Sequence, residues 1–153
     1  MTTHSSAPYL AVRGSPAESR GALLERVATD WQQAIRSALL PLDLTHAQFR
    51  LLVAATWLAA RQPAVRQSDI AGVANADPVM TSEVLRTLES RALIVRGPHP
   101  TDRRARAVSV TEAGAKLADR AARLVDVVEA KFFEGGMAEF APLAKALKKG
   151  GRG

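Results

Sequence analysis

Apolar residues recur along this chain in helical stripes, separated by Pro, Gly and capping residues. From Ala17 to Leu40, Leu23, Leu24, Val27, Trp31, Ile35, Ala38 and Leu39 follow one another at helical spacing. That pattern predicts a long amphipathic helix, and Pro41 ends it. Thr45 with Gln48 three residues on forms a capping box, and Leu44 with Phe49 fills the two positions of a hydrophobic staple, so the next helix begins at His46. It is expected to reach about Arg61, with Phe49, Leu52, Val53, Thr56, Trp57 and Ala60 as one stripe facing a core, before Gln62-Pro63 stops it.

A short helix fits Gln67 to about Val73, with Ile70, Ala71 and Val73 pointing inward. The turn Ala74-Asn75-Ala76-Asp77-Pro78 follows, in which Asp77 is a suitable N-cap and Pro78 a suitable first helical residue. A third helix from Pro78 to about Arg91 places Thr81, Val84, Leu85 and Leu88 on its core face. Pro78, Val79, Ser82, Glu83 and Arg86 lie on the opposite one. Leu93 to Arg96 and Ala107 to Val110 read as two strands, the second by its alternation. The polar segment Gly97 to Arg106 between them is too long for a tight turn and reads as a wing. Thr111 caps a long helix through about Phe133, with Leu117, Ala121, Leu124, Val125, Val128 and Phe132 along its stripe. Gly135-Gly136 breaks it, and a last helix spans Met137 to Lys148. Residues 1–16 and 149–153 carry no periodicity and are expected to be mobile tails.

The 153 residues suffice for one domain with a real core. No apolar run approaches the roughly 18 to 20 residues needed to span a bilayer, and Met1 to Arg20 lacks the pattern of a secretory signal, so the expected location is the cytoplasm. The chain has no cysteine, which excludes disulfides, zinc knuckles, iron–sulfur clusters and thiol-based sensing. Its net charge is +6, and location says more than the total. Arginines 86, 91, 96, 103, 104 and 106 stand against only Glu89 and Asp102, so this 21-residue window carries +4 of the +6.

Two short helices joined by a tight turn and followed by a two-stranded hairpin form the arrangement that places a helix in the major groove of duplex DNA. Ser82 and Arg86 lie on the face that would meet base edges, and Arg86 could equally reach a phosphate. Three arginines within four positions at a hairpin tip repel one another unless an anion is near, and the minor groove supplies one. Asp102 would orient one of them by a charge-assisted hydrogen bond. The competing reading of the wing is a solvated basic loop, which the preceding helix pair disfavours. The candidate DNA contacts are Pro78, Val79, Thr81, Ser82, Arg86, Asp102, Arg103, Arg104 and Arg106. Catalysis, a metal or a cofactor is not expected. The three histidines (4, 46, 99) are scattered, and no metal-ligand spacing, phosphate-cradling glycine loop or nucleophile motif is present.

The run Asp102-Arg103-Arg104-Ala105-Arg106-Ala107-Val108-Ser109-Val110-Thr111 resembles the wing signature of the MarR (multiple-antibiotic-resistance regulator) family, Asp-x-Arg followed by spaced apolar residues and Leu-Thr, with Val110 where Leu is usual. Leu88-Glu89-Ser90-Arg91-Ala92-Leu93-Ile94 is similar to that family's Leu-Glu-x-x-Gly-Leu-Val, with Ala92 in place of the glycine. The resemblance spans about Leu44 to Phe133. It implies a mainly helical winged helix-turn-helix fold with a small β-hairpin, organised as one domain over 17–148. Residues 44–111 would form the DNA-binding lobe, and 17–43 and 112–148 the dimerisation helices. The apolar faces of Ala17 to Leu40 and Met137 to Lys148 agree, since a small winged helix alone could not cover them. A two-fold dimer would set two recognition helices about 34 Å apart on an inverted-repeat operator. The family further implies repression relieved by a small aromatic or phenolic acid. Trp31, His46, Arg50 and Trp57 are the residues that could contribute to such a pocket, although tryptophans on helical stripes are usually core. The alternative function is a winged helix used for protein contact or for non-specific DNA architecture.

Overall fold

The computed structural model describes residues 14–150. The expected tails at 1–13 and 151–153 lie outside the described residues. A 3-10 turn at Pro16–Glu18 leads into α1 (Arg20–Leu39), which Ser19 caps through its hydroxyl, three residues later than the periodicity alone implies. Pro41 sits in a second 3-10 turn, Leu40–Leu42. Then follow α2 (His46–Ala59), β1 (Val65–Arg66), α3 (Gln67–Val73), α4 (Pro78–Ser90), β2 (Ile94–Pro98), β3 (Arg106–Val110), α5 (Glu112–Phe132) and α6 (Met137–Gly150).

The start of α2 is as the sequence dictates: Thr45 Oγ1 accepts the Gln48 N–H at 3.1 Å, and Gln48 Oε1 accepts the Thr45 N–H at 3.0 Å. Its buried face differs from the expected stripe. Leu51, Leu52, Ala54, Ala55 and Leu58 are buried, while Trp57 is about half exposed and Ala60 lies at the surface. The reason is that α2 packs against α1, α3, α4, α5 and the sheet, so its apolar residues must face several directions and no single stripe describes it. The core built around it joins Ile35 and Leu39 of α1, Ile70 of α3, Leu85 and Leu88 of α4, Ile94 and Val108 of the sheet, and Ala118, Ala121 and Val125 of α5. Val73, expected inside, is 51% exposed at the end of α3. Leu124, placed on the α5 stripe, is also exposed, and Gly114 and Ala118 take the inner face instead.

The sheet has three antiparallel strands in the order β1-β3-β2, where a two-stranded hairpin was expected. β1 consists of two residues, Val65 and Arg66, paired with Val108 and Ala107, and is too short to leave a periodic signal. The β2–β3 ladder runs from Ile94↔Val110 to Pro98↔Arg106, so it extends well into the segment read as loop.

Three helix ends close in the same manner. After the turn at Leu40, after α3 and after α4, the chain enters the left-handed region at Asp43 (φ 51°), Asn75 (φ 46°) and Ala92 (φ 56°). In each case two backbone bonds complete a Schellman motif: Leu44 N–H to Leu39 O, Ala76 N–H to Ala71 O and Leu93 N–H to Leu88 O are the longer-range members. Alanine thus holds a position at which glycine is the usual residue. At Gly135 (φ 81°) the chain leaves α5, and α6 folds back so that Phe133 and Phe140 lie 4.9 Å apart; α6 itself runs to Gly150, past the expected end at Lys148.

Candidate nucleic-acid interface

The turn that separates α3 from α4 is held from behind. Arg50, on α2, donates from Nη2 to the carbonyls of Ala74 and Asn75. These are acceptors that a helix end otherwise leaves free. Asp77 then caps α4 by accepting the N–H groups of Val79 and Met80 at 2.9 and 3.0 Å. The first turn of α4 therefore presents Pro78 and Val79 outward, Val79 at 69% exposure, with Ser82 half-buried and Arg86 exposed further along. Thr81 is corrected: it is fully buried, and its hydroxyl has no partner among the described residues. It lies on the core face with Leu85 and Leu88, where its side chain cannot touch a base.

The wing tip is a β-turn. Ala105 N–H donates to Asp102 O at 3.0 Å, and His99 N–H to Ala105 O at 3.2 Å below it. Asp102 occupies the first position, where its Oδ1 accepts the Arg104 N–H at 3.0 Å, the local bond for which Asp is favoured in turns. Arg103 and Arg104 are thereby placed at the apex. The expectation that Asp102 orients a wing arginine is not met. Its second oxygen faces Arg66 of β1 at 3.8 Å, a residue 36 positions away in the chain that only the β1–β3 register brings near. Sequence reasoning missed Arg66, because a single basic residue in a two-residue edge strand carries no pattern.

The arginine cluster divides by role. Arg96 makes a two-pronged pair with Glu89 at 2.9 and 2.7 Å, and Glu89 also accepts the Arg96 N–H. Hydrogen bonding to Arg96 holds the Glu89 carboxyl below its ordinary value. Arg91 donates to Asp43 O at 2.6 Å and stands 3.5 Å from the Asp43 carboxylate, tying the end of α4 to the turn before α2. Arg86, Arg103, Arg104 and Arg106 have no ion pair among the described residues. Two of the six arginines are thus internal fasteners, and the remaining four sit on α4 and the wing.

Of the residues named for an effector pocket, Trp31 and His46 meet edge-to-face with ring centroids 5.2 Å apart. Trp31 Nε1 is buried without an acceptor among the described residues. Burial, then Arg50 and Arg36, hold the His46 imidazole below its ordinary value. Arg50 is committed to the α3–α4 turn. Trp57 is excluded from the group: it faces outward, with the Arg61 guanidinium stacked 4.0 Å from its ring.

Comparison with known proteins agrees with this geometry. Residues 44–105 match the model of the MarR family. The chain is 35% identical over 122 residues to the uncharacterized HTH-type transcriptional regulator YdcH of Bacillus subtilis (strain 168), covering 80% of this chain and 83% of that one. It superposes on a mutant MarR from E. coli complexed with operator DNA with a TM-score of 0.71 at 27% identity, covering 84% of this chain and 91% of that one. It also superposes on CouR from Rhodococcus jostii RHA1 bound to p-coumaroyl-CoA, with a TM-score of 0.70 at 28% identity over 90% and 94% of the two chains. These matches, together with the helix-turn-helix and its wing, place the chain in the MarR family of DNA-binding transcription regulators.

Proposed function

We propose that the protein acts as a homodimer on an inverted-repeat operator, with α4 in the major groove and the wing in the adjacent minor groove, as a repressor released by a small aromatic or phenolic acid. The observation that carries this reading is the division of the arginines. Those nearest the core are paired with Glu89 and Asp43, while Arg86, Arg103, Arg104 and Arg106 have no ion-pair partner among the described residues on the two elements that would face DNA. A protein-contact surface would gain nothing from such sorting, and a purely architectural binder has no use for the half-buried Ser82 beside Arg86 at base-reading positions.

Dimerisation is supported by the apolar groove between α1, α5 and α6, of about 760 Å³, which Leu24, Val27, Trp31, Phe133 and Phe140 line. Effector control is supported by Trp31, whose buried indole N–H, beside His46, has no acceptor among the described residues. The ligand bound to CouR shows that an aromatic acyl compound occupies one fold of this kind.

A mobility-shift assay on the gene's own upstream region tests the reading. Arg86→Ala or Arg104→Ala is expected to weaken operator binding by about 1–3 kcal/mol where the arginine contacts a base bidentately. Equal affinity of the wild type for that region and for random duplex at physiological salt overturns the sequence-specific reading. Titration with phenolic acids, followed by tryptophan fluorescence and operator release, tests the effector, and silence in both rejects it.

A further inference from the structure

A groove of about 700 Å³ opens between the β1–α3 junction, the first turn of α4 and the wing. Arg66, Arg104 and Arg106 line it together with one carboxylate, Asp102. Three guanidinium groups against one carboxylate leave a surplus of two positive charges. Arg66 belongs to neither the recognition helix nor the wing. Its guanidinium stands 3.8 Å from Asp102 Oδ2, beyond hydrogen-bond reach, and both side chains are substantially exposed. Such a pair contributes little to stability, and water and salt screen it readily. It contrasts with Arg96–Glu89, where two short bonds and a mostly buried guanidinium fix the pair within the fold.

The position of the groove indicates what enters it. A helix in the major groove and a wing in the neighbouring minor groove straddle the sugar-phosphate strand that separates the two. The groove lies between these same two elements. Its remaining walls include the neutral polar residues Gln67, Ser68 and Asn75, whose side chains can donate hydrogen bonds to phosphate oxygens.

We propose that this groove seats a backbone phosphodiester of duplex DNA, with Arg66 as a phosphate-contacting residue outside the helix-turn-helix and wing, and that Asp102 is the counter-ion the phosphate displaces. The proposal rests on the DNA-binding reading above. In the free protein Asp102 stands beside Arg66 at the groove. On binding, the phosphate takes over the guanidinium, while Asp102 keeps its bond to the Arg104 N–H and so preserves the wing tip.

Fluorescence-anisotropy titrations of the full chain, on the upstream duplex and on random duplex over a range of salt, test it. Arg66→Gln is expected to weaken both duplexes by the same factor and to reduce the slope of log K against log salt by about 0.9, the loss of one phosphate contact. Arg66→Lys, which keeps the charge, is expected to restore the slope. Asp102→Asn retains an oxygen for the Arg104 N–H and removes the negative charge, so it is expected to tighten both duplexes. The Arg66 backbone N–H, not its side chain, bonds Asp69, so Arg66→Gln is expected to melt with the wild type. If it melts early, Asp102→Asn decides the matter, since unchanged or weaker binding by that variant contradicts the counter-ion role. An unchanged salt slope in Arg66→Gln, or a loss confined to the upstream duplex, overturns the proposal and leaves the DNA-binding reading intact. Failure of the wild type to bind either duplex overturns both.

Discussion

At the scale of single residues, two side chains illustrate how local chemistry is set by neighbours. Ala92 occupies the left-handed position of the Schellman turn that ends α4, and its carbonyl accepts the Thr111 hydroxyl at 2.8 Å. An L-residue there bears a cost of about 1–2 kcal/mol, partly offset in the comparison with glycine by the greater freedom glycine gives the unfolded chain. Ala92→Gly is therefore expected to stabilise the fold by about 0.5–1 kcal/mol, a rise of roughly 2–3 °C in melting midpoint by calorimetry. Glu89 illustrates charge. Because Arg96 lowers its folded-state pKa below the ordinary 4.5, the pair contributes stability above pH 4.5 and loses it as pH falls through the lowered folded value. The stability difference between wild type and Glu89→Gln, followed by urea titration, is expected to be largest near neutrality and to shrink on acidification below pH 4.5. A difference independent of pH would contradict the ion-pair assignment. The presence of Glu89 and Arg96 was legible in the sequence, but their partnership was not, since seven positions spanning a helix end and a strand do not form a helical or strand repeat.

At the scale of elements, the wing is anchored to α5 through one capping site. Thr111 N–H donates to Leu93 O at 3.1 Å and Thr111 Oγ1 accepts the Gly114 N–H at 3.0 Å, so the first turn of α5 lies directly on the start of β2. Gly114 is buried, and a Cβ added there would collide with the Leu93 carbonyl and crowd Val110. Backbone cannot give way as a flexible side chain can. Gly114→Ala is expected to destabilise by about 1–3 kcal/mol, with a matching shift of the denaturant midpoint, and to weaken DNA binding by moving the wing. A neutral Gly114→Ala would show that the junction is looser than its packing indicates. The starts of α2, α4 and α5 were readable because their Thr and Asp caps act within three residues, whereas the Ser19 cap of α1 was not read and that start was placed at Ala17. β1 and the inner face of α2 were not, because a two-residue strand exists only through its partner and a helix surrounded on several sides has no single stripe.

At the scale of the whole molecule, exposed apolar side chains gather on α1 and α6. Leu24, Leu143 and Leu147 are each more than half exposed. Surface of this kind on helices flanking a winged helix is what the proposed dimer would bury. Leu24→Glu and Leu143→Glu are expected to shift the protein toward monomer in sedimentation velocity and to reduce operator affinity, while the helical content by circular dichroism is kept. A wild-type chain that sediments as a monomer at micromolar concentration contradicts the dimer.

The sequence by itself determined the order and type of the helices, the wing and the family, because caps, proline stops, periodicity and the arginine run at the hairpin tip are all local signals. Only the tertiary structure decided which arginines are free. Arg91 and Arg96 look no different from Arg86 and Arg104 along the chain, yet the fold places Asp43 and Glu89 against the first two and, among the described residues, no carboxylate within ion-pair distance of the others. It likewise brings Arg66 to Asp102 across the β1–β3 register. Charge is written residue by residue, but its neutralisation depends on distances between segments that the chain sets only when it folds.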